Sequence, residues 1–240
     1  MVASTNKLDT TVGQLVTERP GRARVFEAFG IDYCCGGKKP LAQAIEEKGL
    51  ERQTVLRLLD AFDEQAPEAE RDWSKSSVAA LADHIEHTHH AYLKSELPRL
   101  EHLVNKVASR HGSHTPQLVD LARVFAAFKL ELESHMQKEE VVLFPVCRQM
   151  ERATSQQPFH CGSVGNPIAV MIQEHEDAGD ALRRMRELTN DYTPPADACN
   201  TYRALFDSLN DLEQDMHRHV HKENSILFPK ALELEQNLRR

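Results

Sequence analysis

Apolar residues fall at helical spacing along nearly the whole chain, and no stretch alternates as a half-buried strand would. Near the start, Val12, Leu15 and Val16 predict a short helix that stops at Arg19-Pro20. Pro20 suits the opening of a second helix with Val25, Phe26 and Phe29, and Gly30 is its left-handed stop. After the turn Ile31-Asp32-Tyr33-Cys34-Cys35-Gly36-Gly37-Lys38-Lys39, Pro40 opens a third helix that Gly49 ends. Val55, Leu56, Leu58 and Leu59 mark a fourth. Helices this short bury little alone, so the module is expected to lean on a partner surface.

Residues 1–8 are expected to fray, and the charged stretch 66–75, which holds the lone Trp73, reads as a linker. Four longer periodic segments follow, at about 77–110 (bent near Pro98), 117–149, 167–189 and 197–236. The loop at 111–116, the Ser/Gln/Gly/Pro-rich stretch 152–166 and the proline break near 193–197 separate them. The expected architecture is all-α: a small helical domain over 8–65, then an antiparallel four-helix bundle over 76–238.

One phrase occurs twice within that pattern. His135-Met136-Gln137-Lys138-Glu139 runs on to Leu143-Phe144-Pro145, and His219-Val220-His221-Lys222-Glu223 to Leu227-Phe228-Pro229, both reading H-x-x-K-E-x-x-x-L-F-P. Positions i and i+4 share a helix face, so each copy sets an imidazole beside a carboxylate, and Leu143 or Leu227 turns that face inward. A histidine precedes each phrase at nearly the same interval, His90 in one case and His175 in the other. Buried ionisable groups are costly unless paired or bound to metal. Four imidazoles and two carboxylates crowd one ion and suit two ions bridged by the carboxylates, with room for a bridging oxygen. That donor set favours two iron ions per chain, manganese being the substitute. A closed structural zinc site would want four ligands, usually with thiolate.

Helix one leaves a choice. The apolar stripe of Leu81, Ile85, Tyr92 and Leu100 centres on His89, whereas the repeat interval favours His90. His111 is too distant, about 31 Å along a continuous helix from His90. His84, His87, His102, His114, His217 and His221 read as solvated or as supporting groups.

A net charge of −8 argues against nucleic acid, and no apolar run suits a membrane span or a signal peptide. Five cysteines, an odd number with two adjacent, do not form a secreted disulfide framework. A cytoplasmic protein is expected; the chain leaves room for a homodimer.

The H…HxxxE…H…HxxxE arrangement resembles the hemerythrin-type cation-binding domain. Asp32-Tyr33-Cys34-Cys35-Gly36-Gly37 resembles the signature of the small N-terminal domain of the iron–sulfur cluster repair di-iron proteins. These are also known as repair-of-iron-centres proteins, or cell-morphogenesis and nitric-oxide-response regulators. The resemblance implies a hemerythrin-like fold and a non-haem di-iron centre held by His90, His135, Glu139, His175, His219 and Glu223. It also implies damaged iron–sulfur proteins as clients, under nitrosative or oxidative stress. The run from His90 to Pro98 favours His90, since a ligand histidine of the family stands eight residues before that proline.

Three activities share these ligands: iron donation to damaged clusters, reduction of nitric oxide to N2O or of peroxide, and binding of NO or O2 without turnover. An electron donor would be external, since no flavin or haem domain is recognisable. Cys34 and Cys35 read as a thiol relay for iron or NO equivalents, or as a guard at an exit from the centre; the alternative is a small turn pair kept for packing. Lys38 and Lys39 are expected to favour their thiolates. Cys161 has no assigned role.

Overall fold

The computed structural model describes residues 7–65, 72–155 and 160–239, with no β-strand among them. Residues 1–6 of the expected frayed end, 66–71 of the linker and 156–159 of the 152–166 connection lie outside the described residues.

Four short helices form the N-terminal module: α1 (Val12–Glu18), α2 (Ala23–Ala28), α3 (Leu41–Glu47) and α4 (Arg52–Gln65). Thr11 caps α1 by accepting from the Gln14 amide at 3.2 Å. Gly30 and Gly49 take φ of 63° and 62° and end α2 and α3 as the sequence predicts. Val12, Leu15, Phe26, Tyr33, Leu41, Ile45, Val55 and Leu59 form its core. Buried Arg22 ties α1 to α4, donating to the Leu15 carbonyl and, through Nε and Nη2, to Asp63 at 3.0 and 2.8 Å. Lys7 also pairs with Asp63, at 2.9 Å, so the order begins sooner than the sequence predicts.

Four rods form the bundle. Rod α5 spans 78–111, α6 spans 117–152, α7 is Gly165–Leu188 and α8 spans 200–238. Three rods are interrupted by one π-helical turn each: Glu86–His90 in α5, Glu139–Leu143 in α6 and Glu223–Leu227 in α8. Such turns insert a residue into the helix and gather at functional sites. Pro98 lies within an uninterrupted helix, Ala91–His111; the irregularity of α5 comes before it.

The apolar interior of the bundle is in two parts. One contains Leu93, Leu97, Phe125, Phe128, Leu182, Leu205 and Phe206. The other contains Leu81, Ile85, Leu143, Phe144, Ile168, Leu227 and Phe228. In every rod the predicted His and Glu positions fall between them.

The surface on which the module leans is the bundle itself. Tyr33 sets its ring edge against His217 and His221, with centroids 6.0 and 5.5 Å apart, and its carbonyl lies 3.3 Å from His221 Nδ1. Asn224 Nδ2 donates to the Cys34 carbonyl at 3.5 Å, and the Cys35 thiol to the His175 carbonyl at 3.3 Å. Glycine at 37 is a matter of space, because a Cβ there would meet the Tyr33 carbonyl oxygen at 2.4 Å. The Gly36-Gly37 pair thus serves a close-packed turn.

Candidate metal centre

Two clusters of buried ligand-type atoms lie side by side: His90, Glu139, His219 and Glu223 in one, His135, Glu139, His175 and Glu223 in the other. Within each, the atoms lie within 4.8 Å of one another. Glu139 Oε2 is 3.3 Å from Nε2 of both His90 and His135. Glu223 turns one oxygen to His219 and the other to His175, each at 3.1 Å. The Nε2 atoms of His135 and His175 face each other at 3.2 Å. Two donors each about 2.1 Å from one ion, at roughly tetrahedral or octahedral angles, stand about 3.0–3.4 Å apart. Nε2 of His90, both oxygens of Glu139, Nδ1 of His219 and Oε2 of Glu223 are buried with no hydrogen-bond partner among the described residues. Polar atoms so buried are costly unless satisfied, and a cation between these donors would satisfy all but the outward-facing His219 Nδ1. The residues fit a pair of cations.

The repeated phrase orients the histidine of the preceding rod. Glu140 accepts from His90 Nδ1 at 2.8 Å, and Asn224, its counterpart in the second copy, faces His175 Nδ1 at 3.0 Å. Phe144 stacks on His90 and Phe228 on His175, with centroids 5.5 and 5.8 Å apart. Outer partners of this kind fix the tautomer and aim the other nitrogen inward. Glu174 does so for His135 at 2.9 Å, and Lys138 pairs with Glu174 as Lys94 does with Glu140. None of Glu140, Glu174 and Asn224 is singled out by the helical pattern; their only signal is adjacency to a predicted site residue.

Burial opposes charge on His135, yet the carboxylates of Glu139, Glu223 and Glu174 outweigh it and raise the imidazole to about 9. His90 is raised in the same way. Glu139 is lowered, and Glu223 well below the usual carboxylate range, because the surrounding imidazoles outweigh burial. The pocket therefore holds its carboxylates ionised and draws positive charge.

His89 and His90 are both buried, at 3% and 0% exposure, but only His90 joins a cluster. In an α-helix the stripe of Leu81 and Ile85 continues to His89; the π turn adds one residue and brings His90 inward. Both nitrogens of His89 are engaged, Nδ1 with Asp215 at 2.9 Å and Nε2 with Lys222 at 2.7 Å. Burial holds its imidazole down at about 4. His111 lies at the far end of the bundle beside Tyr202 and Cys199. His84 stacks on Trp73 at 3.9 Å, which packs the described part of the linker onto α5. His221 departs from the solvated reading: it is buried at the module seam and held at about 4 by burial.

The expected effect of lysines on the thiols does not reach Cys34. Lys39 pairs with Glu47 at 2.6 Å, whereas Cys34 Sγ lies 3.7 Å from Cys35 Sγ and 3.2 Å from an Asp32 oxygen. The neighbouring thiol and burial push Cys34 well above the usual thiol range.

Residues 81–231 match the hemerythrin HHE cation-binding domain, and residues 8–63 match ScdA_N, a domain of unknown function (DUF542). The chain is 34% identical over 224 residues to the iron-sulfur cluster repair protein YtfE of Citrobacter koseri, covering 93% of this chain and 97% of that one. The YtfE protein of Escherichia coli O157:H7 matches with the same identity and coverage. A probable iron-sulfur cluster repair protein of Haemophilus influenzae is 33% identical over 222 residues, 92% of this chain and 96% of that one. The bundle of the present chain is a hemerythrin HHE cation-binding domain, and the chain belongs to the family of the YtfE iron-sulfur cluster repair proteins.

Proposed function

We propose that His90, His135, Glu139, His175, His219 and Glu223 hold two iron ions, and that the chain restores iron–sulfur clusters damaged by nitrosative or oxidative stress by donating iron. The observation that carries the reading is the sharing of Glu139 and Glu223 by both clusters, which suits two ions and not one. Imidazole with carboxylate, without thiolate, favours iron and next manganese over structural zinc or copper. The relatives' name, iron-sulfur cluster repair protein, supports damaged iron–sulfur proteins as the clients. When bound, the ions supply redox-active metal that is also the cargo. The chain's own part is to aim the imidazoles through Glu140, Glu174 and Asn224 and to keep the carboxylates ionised.

A cavity of about 410 Å³ reaches the His135–His175 side and is lined by Glu131, Glu174, Asp177 and Lys138. Its carboxylates, set among Phe128, Leu130, Leu132, Ala178 and Met216, offer a cation a route to the imidazoles. Room for a small molecule beside the same histidines supports a second reading, in which NO or O2 binds there or NO is reduced with electrons from an external donor. All five thiols are free, as in a reducing compartment, and we place the chain in the cytoplasm. Cys34 and Cys35, against the His175 carbonyl, are read as a relay for iron or NO equivalents.

The deciding measurement follows recovery of an apo iron–sulfur enzyme beside NO consumption, with ferrous protein added in the presence and absence of a chelator. Iron donation predicts recovery that a strong chelator suppresses. NO consumption without recovery would replace donation by the second reading. Replacing both cysteines by serine should abolish recovery and leave NO consumption intact; undiminished recovery would return the pair to packing.

A further inference from the structure

A third cluster of metal-ligand groups lies outside the bundle centre. Asp32, Cys34 and Cys35 bring one carboxylate oxygen and two sulfurs within 4.8 Å of one another. The sulfurs are 3.7 Å apart, and two thiolates bound at about 2.3 Å to one tetrahedral ion stand about 3.8 Å apart. Cys34 Sγ lies 3.2 Å from Asp32 Oδ1, and Cys35 Sγ 3.3 Å from the His175 carbonyl oxygen. Sulfur and oxygen donors of one such ion stand about 3.6 Å apart, so neither spacing needs more than a small opening.

The turn is built before any ion arrives. Asp32 Oδ1 accepts from the amides of Cys34 and Cys35 at 2.9 and 3.0 Å, which fixes carboxylate and thiols on one side of the loop. Close packing at Gly37 holds the loop's other limb. Cys34 and Cys35 line a cavity of about 280 Å³ beside α7 and α8 and another of about 390 Å³ beneath α1, so an ion has a way in.

We propose that Asp32, Cys34 and Cys35 bind one thiophilic divalent ion, with the His175 carbonyl as fourth donor. Two thiolates and a carboxylate suit ferrous iron or zinc over magnesium or calcium. Binding releases the two thiol protons to solvent and moves no electron. His175 would then touch both sites, its imidazole in the bundle and its carbonyl at the thiols. That the ion is iron in transit rests on the repair reading; the site itself does not.

The test is an anaerobic Co2+ titration of the reduced, full-length protein, following thiolate-to-cobalt charge-transfer absorption. The wild type should develop this absorption to saturation at one ion per chain. C34S/C35S should lose it completely while keeping its helical circular dichroism and the ions of the bundle. D32N should bind the thiolate-linked ion more than about tenfold more weakly. Should the double variant misfold, the single variants C34S and C35S must each lose at least half the absorption. No charge-transfer absorption in the wild type, or its survival in the double variant, overturns the proposal. A chain with the thiolate-linked ion but no other would sink the bundle reading and leave this one standing.

Discussion

The two halves of the centre share their carboxylates and differ in what surrounds the histidines. In the His135–His175 half, Glu174 accepts from His135 and is paired with Lys138, and a cavity reaches both imidazoles. In the His90–His219 half, the residue matching Glu174 in the repeat is His89. It lies parallel to His219 with centroids 5.2 Å apart, its nitrogens are taken by Asp215 and Lys222, and His219 Nδ1 has no hydrogen-bond partner among the described residues. Repetition thus kept the inner side chains alike while their supports diverged. In the repair reading, an ion leaving by that cavity would come from the His135–His175 half.

The strongest way to break the comparison is to remove what the halves share. Glu139→Ala or Glu223→Ala should cost at least one of two irons per folded chain, as metal analysis would read directly. Two irons retained by either variant would disprove the sharing.

Helix one offers the next test. His90→Leu should lose iron, whereas His89→Leu should keep it and cost mainly stability, by separating Asp215 from its buried partner. Iron lost only from the His89 variant would mean that the apolar stripe had been the better guide. This is also the place where the sequence was hardest to read. The twice-written phrase gave the bundle and the inward carboxylates, because i, i+4 spacing survives in any helix. The π turn shifts the apolar register by one residue, so that Leu93 and not Tyr92 is buried after it, and the stripe of Leu81 and Ile85 read as a plain α-helix led to His89. Burial of His221 depends on Tyr33 packing from another module, which no pattern within α8 carries. Lys39 misled because adjacency in sequence says nothing of direction: it turns to Glu47.

Sharper still is to remove one support from each half. Glu174→Ala and Glu140→Ala should each weaken one ion by about 10–100-fold. Stopped-flow release to a chelator should show Glu174→Ala speeding the faster phase and Glu140→Ala the slower. Identical traces would erase the distinction between the half that the cavity reaches and the other. The smallest effect is expected from His111→Ala at the far end of the bundle, where iron content should not change; loss of iron there would contradict the path of α5.

The division of the bundle's apolar interior has a mechanical consequence. Between the part around Phe125 and Phe206 and the part around Phe144 and Phe228 runs a polar stratum of six side chains. Apolar contact across it is reduced to the stacking of Phe144 on His90 and Phe228 on His175. Among the described residues, four helical backbones, three of them interrupted by π turns, cross that plane, and bonds to ions would add to them. In the di-iron reading, bound ions would act as rivets between the two blocks. A chain stripped of metal should show amide exchange in the Phe144–Phe228 block uncoupled from the Phe125–Phe206 block, and reloading should fuse them into one cooperative unit.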